Sequence, residues 1–218
     1  MSTIKQQLCQ VKDLGMIDYA DAYQVQMECV KQVTKDETQK LIFCEHPAVL
    51  TLGRLAVDQH IFATADELNK LGVAVHRIDR GGEVTLHAPG QLVIYPILNL
   101  NTWKKDLHAY LHSLEEVAID LLKEFDIVAE RNSGKTGVWV QHKKIVSIGV
   151  GVKKWISYHG LAINVNTDLK LFSLIRPCGL DVSMTSMKEI LGRDINLKDI
   201  KKHLIKIFSK QFDLHIDE

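Results

Sequence analysis

Three stretches of this chain carry side chains that could do chemistry. Cys178 sits in Leu174-Ile175-Arg176-Pro177-Cys178-Gly179-Leu180. Proline and glycine on either side make the local backbone a turn. Turns run over the surface, where a thiol can meet a substrate, and Arg176 two residues away favours the thiolate. A structural cysteine in a rigid turn accounts for the same pattern. A thiol that ordinarily titrates near 8.5 needs a base or a cation beside it to act as a nucleophile. Lys144 is one candidate. It opens the run Lys144-Ile145-Val146-Ser147-Ile148-Gly149-Val150 and shares a strand face with Val146 and Ile148. Its ammonium could hold a thiolate and exchange a proton with it, although lysines at strand ends commonly snorkel to water. The third stretch is Arg80-Gly81-Gly82-Glu83-Val84-Thr85-Leu86-His87-Ala88-Pro89-Gly90-Gln91. Adjacent glycines allow close backbone approach, and Arg80 offers a fixed fork of donors. A glycine-kinked strand followed by a Pro-Gly turn explains these residues equally well.

Other groups are set aside. Ser133-Gly134-Lys135-Thr136 resembles the end of a phosphate-binding loop, but Ala129 stands where the pattern needs glycine and a strand follows where a helix should. It reads as a loop between strands. Ten histidines form no His-Glu-x-x-His or similar ligand cluster, so no metal site is expected. Cys9, Cys29 and Cys44 form no Cys-x-x-Cys pair with each other or with Cys178. Cys29 and Cys44 fall in apolar patterns and read as small buried hydrophobes.

The elements that position these groups follow from periodicity. Apolar residues three and four apart predict helices over 18–35, 104–125 and from about 196 onward. Leu107, Leu111, Leu114, Ala118, Leu121 and Phe125 form the clearest stripe, expected to cover one face of a sheet. Thr64-Ala65-Asp66-Glu67 is a capping box that opens a short helix stopped at Gly72. Strands are predicted at 41–45, 49–54, 73–78, 92–97, 137–140, 144–152 and 155–165, with Gln141-His142-Lys143 as a tight hairpin turn that has no glycine. Strands in adjacent runs with helices between blocks indicate an α+β fold with a mixed, largely antiparallel sheet. One domain over 1–218 is expected, with residues from about 186 as a candidate helical extension.

The composition is that of an ordinary globular protein: 218 residues, 46% hydrophobic and 25% charged. Lys+Arg and Asp+Glu are both 27, so no global field argues for nucleic acid or a membrane surface. No run approaches the roughly 20 apolar residues that span a bilayer, and polar residues interrupt the N-terminus where a signal peptide would be apolar. A cytoplasmic protein with free thiols is expected.

Four segments, in order over about 45–187, resemble the octanoyltransferases of lipoate biosynthesis, the LipB family, related to the biotin and lipoate protein ligases. They are Glu45-His46-Pro47 with Thr51-Leu52-Gly53-Arg54, the Arg80–Gln91 stretch with Tyr95-Pro96, Lys144-Ile145 through Ser147-Ile148-Gly149 to Tyr158-His159-Gly160-Leu161-Ala162, and Pro177-Cys178-Gly179. The resemblance implies the ligase-like fold and transfer of an octanoyl group from octanoyl-acyl carrier protein to a lysine of a lipoyl domain. The acceptors would be the lipoyl domains of 2-oxoacid dehydrogenase complexes and the glycine-cleavage H protein. It implies Cys178 as nucleophile through an acyl-thioester intermediate, and Lys144 as the group that lowers its pKa. Arg80, Gly81, Gly82, Glu83, Val84, Thr85, Leu86, His87, Ser147, Ile148, Gly149, Gly160, Leu161 and Ala162 are implied as substrate-binding, with no cofactor. Leu86 and Ala88 depart from the aromatic residue and the glycine usual in the family. Leu86 is expected to reshape the acyl pocket slightly. Two rival readings remain at this point: an ATP-dependent lipoate ligase, which would not need Cys178, and a non-catalytic lipoyl-domain-binding module.

Overall fold

The computed structural model describes residues 6–36, 38–177 and 182–217. In chain order the elements are β1 (Gln7–Met16), α1 (Tyr19–Asp36), β2 (Gln39–Glu45), β3 (Val49–Leu52), α2 (Ala65–Lys70), β4 (Ala74–Arg77), β5 (Val84–His87) and β6 (Gln91–Ile97). Then follow α3 (Leu100–Trp103), α4 (Leu107–Lys123), β7 (Glu130–Asn132), β8 (Lys135–Val140), β9 (Lys143–Lys153), β10 (Ile156–Asn164), α5 (Met187–Leu191), α6 (Leu197–Phe212) and β11 (Leu214–Asp217).

The strands form two sheets. Eight lie in the order β11-β1-β2-β6-β10-β9-β8-β7, and three in the order β4-β3-β5. Pairing is antiparallel except for β1 with β2 and β11, and β3 with β4. The fold is therefore α+β with a large, mostly antiparallel sheet, as the sequence indicates.

Alternation along the strands assigns the faces. Leu41 and Phe43 of β2, Leu92 and Ile94 of β6, and Leu161 and Ile163 of β10 pack with Leu114, Ala118 and Leu121 of α4 and with Ile200, Leu204 and Phe208 of α6. Ile42, Cys44, Val93, Tyr95 and Ala162 face the other way, onto Ala22, Cys29 and Val33 of α1. The C-terminal helix thus shares the main core. The capping box forms as expected, Thr64 and Glu67 each bonding the other's backbone. Gln141 supplies the hairpin turn without glycine by taking a left-handed backbone, φ 55°.

Some of the chain was not anticipated. Exposed β7, edge strand β11 and the half-polar β1 carry little apolar alternation, so sequence periodicity passes over them. The helix expected over 104–125 starts at Leu107, where Asp106 caps it, and a separate short helix, α3, precedes it.

Leu204 is fully buried between α4 and the sheet. Leu204→Ala is expected to cost about 2–5 kcal/mol within a single urea transition. Two separated transitions would show that α6 unfolds as an independent extension.

Candidate active site

The small sheet is fastened over the large one by the loop between β4 and β5. Arg80 is buried. Its Nη2 donates to the Thr51 carbonyl at 2.7 Å and to Thr51 Oγ1 at 3.0 Å, and its Nη1 donates to the Gly81 carbonyl at 2.9 Å. The Gly81 N–H donates across to Val150 of β9 at 2.9 Å, and Arg54 and Leu55 donate to Arg80 and Gly82. The loop lies so close that a Cβ on Gly53 would stand 2.3 Å from the Gly82 carbonyl oxygen. Arg80 therefore organises the loop with its guanidinium.

Between the sheets lies a cavity of about 250 Å³. Arg80, Gly82, Glu83, Thr85 and His87 line it from the loop and β5. Lys144, Ser147, Ile148 and Gly149 line it from β9, and Gly160, Leu161 and Ala162 from β10. Gly81, Val84 and Leu86 do not. On β5 the side chains alternate, so Thr85 and His87 reach the cavity while Val84 and Leu86 fill the small sheet's own core with Leu50, Leu52 and Leu68. The expected effect of Leu86 on the acyl pocket does not arise by direct contact. Cys178, with Gly179 and Leu180, lies outside the described residues.

Lys144 is 1% exposed. Its Nζ donates to the Thr136 carbonyl at 3.0 Å and stands 4.9 Å from the centre of the Trp139 ring, a cation–π distance. A buried ammonium needs such partners. Gly137 makes the space for it. Its φ is +131°, and a Cβ there would sit 2.6 Å from Lys144 Cε. Behind it, Glu115 of α4 is buried, takes the Gly137 N–H on Oε1 at 3.0 Å, and holds Arg131 on Oε2 at 3.1 Å. The chain returns beside this lysine after residue 181. Ser183 accepts the Lys144 N–H at 2.8 Å, and Thr185 donates to the Lys144 carbonyl at 2.9 Å.

His87 and His159 line the other part of the cavity, with His46 packed against His87, and each of the three imidazoles has an assignable tautomer. The Thr185 carbonyl can only accept, so Asn164 turns its Nδ2 toward it at 3.0 Å. Asn164 Oδ1 then accepts from Gln91 Nε2 at 2.9 Å, and Gln91 Oε1 accepts from His87 Nδ1 at 2.7 Å. His87 is left with a bare Nε2. His46 donates Nδ1–H to the Ile17 carbonyl at 2.7 Å and accepts the Tyr95 hydroxyl on Nε2 at 2.8 Å. His159 points Nε2 at the Asp79 carboxylate, 2.9 Å away, and Nδ1 at the Tyr19 hydroxyl, 3.3 Å away. Burial pushes His87 down to about 3 and His159 to about 4, and lowers His46 as well. For His87 the neighbouring His46 acts in the same direction, while for His159 the Asp79 bond opposes burial.

Sequence reasoning missed Tyr19, Tyr95 and residues Gly134, Lys135 and Thr136, at the turn into β8, as cavity residues. The turn was visible as Ser-Gly-Lys-Thr and was read as a loop between strands, where Ser133 and Gly134 join β7 to β8. Its part in holding Lys144 depends on β7–β8 pairing, which no local pattern announces.

Residues 18–209 match the lipoyl protein ligase A/B catalytic domain. The chain is 40% identical over 212 residues to the octanoyltransferase of Caldanaerobacter subterraneus subsp. tengcongensis, covering 96% of this chain and 92% of that one. It is 44% identical over 204 residues to the octanoyltransferase of Thermosynechococcus vestitus, covering 92% and 88%. Among solved structures it is similar to a bi-partite lipoate protein ligase from Thermoplasma acidophilum, with a TM-score of 0.79 at 17% identity over 98% of this chain and 87% of that one. That likeness bears on the fold.

The depressed imidazoles predict an acid-labile fold. Below about pH 6.5 the unfolded chain takes up protons on these residues while the native chain does not, so stability falls as pH falls, by on the order of 1.4 kcal/mol per unit for each imidazole until its folded value is reached. Urea midpoints from pH 7 to 4.5 check this, and a flat profile would refute it. Gly137→Ala is expected to displace the Lys144 ammonium, seen as a shifted Nζ resonance in a protein whose far-UV circular dichroism is unchanged.

Proposed function

The chain belongs to the lipoyl protein ligase A/B catalytic domain family and serves protein lipoylation as an acyltransferase of octanoyl groups, and on that premise we propose a two-step route through Cys178 and Lys144. Octanoyl-acyl carrier protein is the donor. The Cys178 thiolate, held by the Lys144 ammonium, attacks the thioester carbonyl. The carrier leaves as its thiol with a proton from Lys144, and an octanoyl-thioester enzyme remains. A lysine amine of a lipoyl domain then attacks this thioester. Cys178 departs as thiolate and Lys144 takes back one proton. The thioester carries its own activation, so the route requires no nucleotide. Lipoyl domains of 2-oxoacid dehydrogenase complexes and the glycine-cleavage H protein are the acceptors in this reading, and the cytoplasm is its setting.

The observation that carries the reading is the buried lysine in the cavity wall. Lys144 is fixed by Thr136, Trp139 and Gly137, and the segment that follows the Pro177-Cys178-Gly179 motif docks on its own backbone at Ser183 and Thr185. An acyl chain suits the cavity, which is smaller than the roughly 300–1,000 Å³ usual for drug-sized ligands. Each methylene it buries contributes about 0.8 kcal/mol.

Intact mass measurement after incubation with octanoyl-carrier protein tests the route. The expected result is one octanoyl group mapped to Cys178, absent in Cys178→Ala. Transfer at full rate by Cys178→Ala would overturn the covalent step. Lys144→Ala is expected to raise the pH at which Cys178 is alkylated. An unchanged alkylation profile would remove Lys144 from its role.

A further inference from the structure

The cavity presents two hydrogen-bond acceptors that an octanoyl chain has no use for. One is His87 Nε2, left bare by the chain from the Thr185 carbonyl through Asn164 and Gln91. The other is the Tyr19 oxygen. Asp79, a carboxylate held ionised below its usual range with bonds from His159 and Tyr158, can only accept. His159 must therefore carry its proton on Nε2, so its Nδ1 accepts and the Tyr19 O–H donates to it. The phenol proton is turned away from the cavity, and the oxygen's free lone pair is available to it.

Both acceptors are built with care. The Tyr19 and His87 rings stack at 6.1 Å with an interplanar angle of 10°, and both line the cavity. His159 holds a left-handed backbone, φ 55°, inside a strand, and its N–H is taken by the buried Gln26 side chain at 2.8 Å. Such strain persists only where surrounding contacts over-determine it. Thr85, two residues before His87 on the same face of β5, has a buried hydroxyl with no partner among the described residues. Acceptors facing hydrocarbon would carry an uncompensated desolvation cost, so the ligand they suit is a donor.

We propose that Tyr19 and His87 form the subsite for the incoming primary amine of the second substrate, with His159 and Asp79 as positioning residues that keep the Tyr19 lone pair aimed at it. This rests on the two-step reading above. Acylation exchanges one sulfur for another, and neither the attacking nor the leaving atom carries an N–H donor. Aminolysis brings a primary amine with two. No bond to carbon or proton is made or broken by the subsite. It holds one N–H while the attacking lone pair is directed at the thioester. Replacing Asp79 by asparagine would let an amide N–H face His159 Nε2, reverse the tautomer and turn the Tyr19 O–H toward the amine.

The test separates the two half-reactions of the full-length enzyme. Octanoyl-enzyme formation from octanoyl-carrier protein is followed by intact mass, and a lipoyl domain is then added and loss of the adduct timed. Tyr19→Phe and Asp79→Asn are expected to acylate at the wild-type rate and to transfer about tenfold more slowly, the effect of one hydrogen bond. Asp79→Glu, which keeps the carboxylate, should restore most of the second step. Nitrogen-15 shifts of His159 should report the reversed tautomer in Asp79→Asn. Equal slowing of both steps, or wild-type transfer in Tyr19→Phe and Asp79→Asn, would overturn the subsite. If the wild-type enzyme itself forms no adduct, the two-step reading fails and the subsite falls with it.

Discussion

The hold of Arg80 on Thr51 and Gly81 is the constraint on which the molecule's concavity depends. A three-stranded sheet with a hydrophobic face can hold together by itself. Here it has its own core beneath it, but its position over β9 and β10 is fixed by polar contacts: the guanidinium on β3, and the Gly81 N–H on Val150. The loop meets the large sheet at Gly149 of β9, where a Cβ would stand 2.9 Å from the Gly81 carbonyl oxygen, and the cavity is what the two sheets enclose as a result. An arginine suits this work better than a lysine because its planar fork serves two acceptors in set directions.

The cavity divides chemically. In one part the Lys144 side chain is buried with its Nζ against a carbonyl and an indole face. In the other, neutral imidazoles and phenols are locked by hydrogen bonds that end on backbone carbonyls or on Asp79. Local burial makes each fixed dipole count for more than it would in water. It also keeps the imidazoles uncharged across the physiological range, so the cation at Lys144 has no titrating histidine competing with it.

How much of this was legible depended on distance along the chain. The α4 stripe, the Thr64 capping box and the hairpin at Gln141 are local signals, and the structure bears them out. The glycine pair at 81–82 was readable as a place of close approach, though not what approaches it. Leu86 shows the limit of motif reading. Adjacent residues of one motif point to opposite faces of β5, and the sequence does not tell which face is the cavity until the core that Leu50, Leu52 and Leu68 form with Val84 and Leu86 is seen. Tyr19, Asp79 and His159 come together from 80 and 140 residues apart, and nothing in the local pattern of any of them marks the others. β1 and β11 were missed for a local reason, since each carries little of the apolar alternation that marks a strand.

Glu115 has a consequence for how such a site can drift over generations. It stands on the helix side of the sheet and grips Gly137 from behind, while Arg131 and the exposed His112 grip Glu115 from the outside. Substitutions at those outer positions can alter the footing of the buried lysine without entering the cavity or touching a substrate. Exposed side chains on the outer face of α4 are thereby linked, through one carboxylate and one glycine, to a lysine buried on the far side of the sheet.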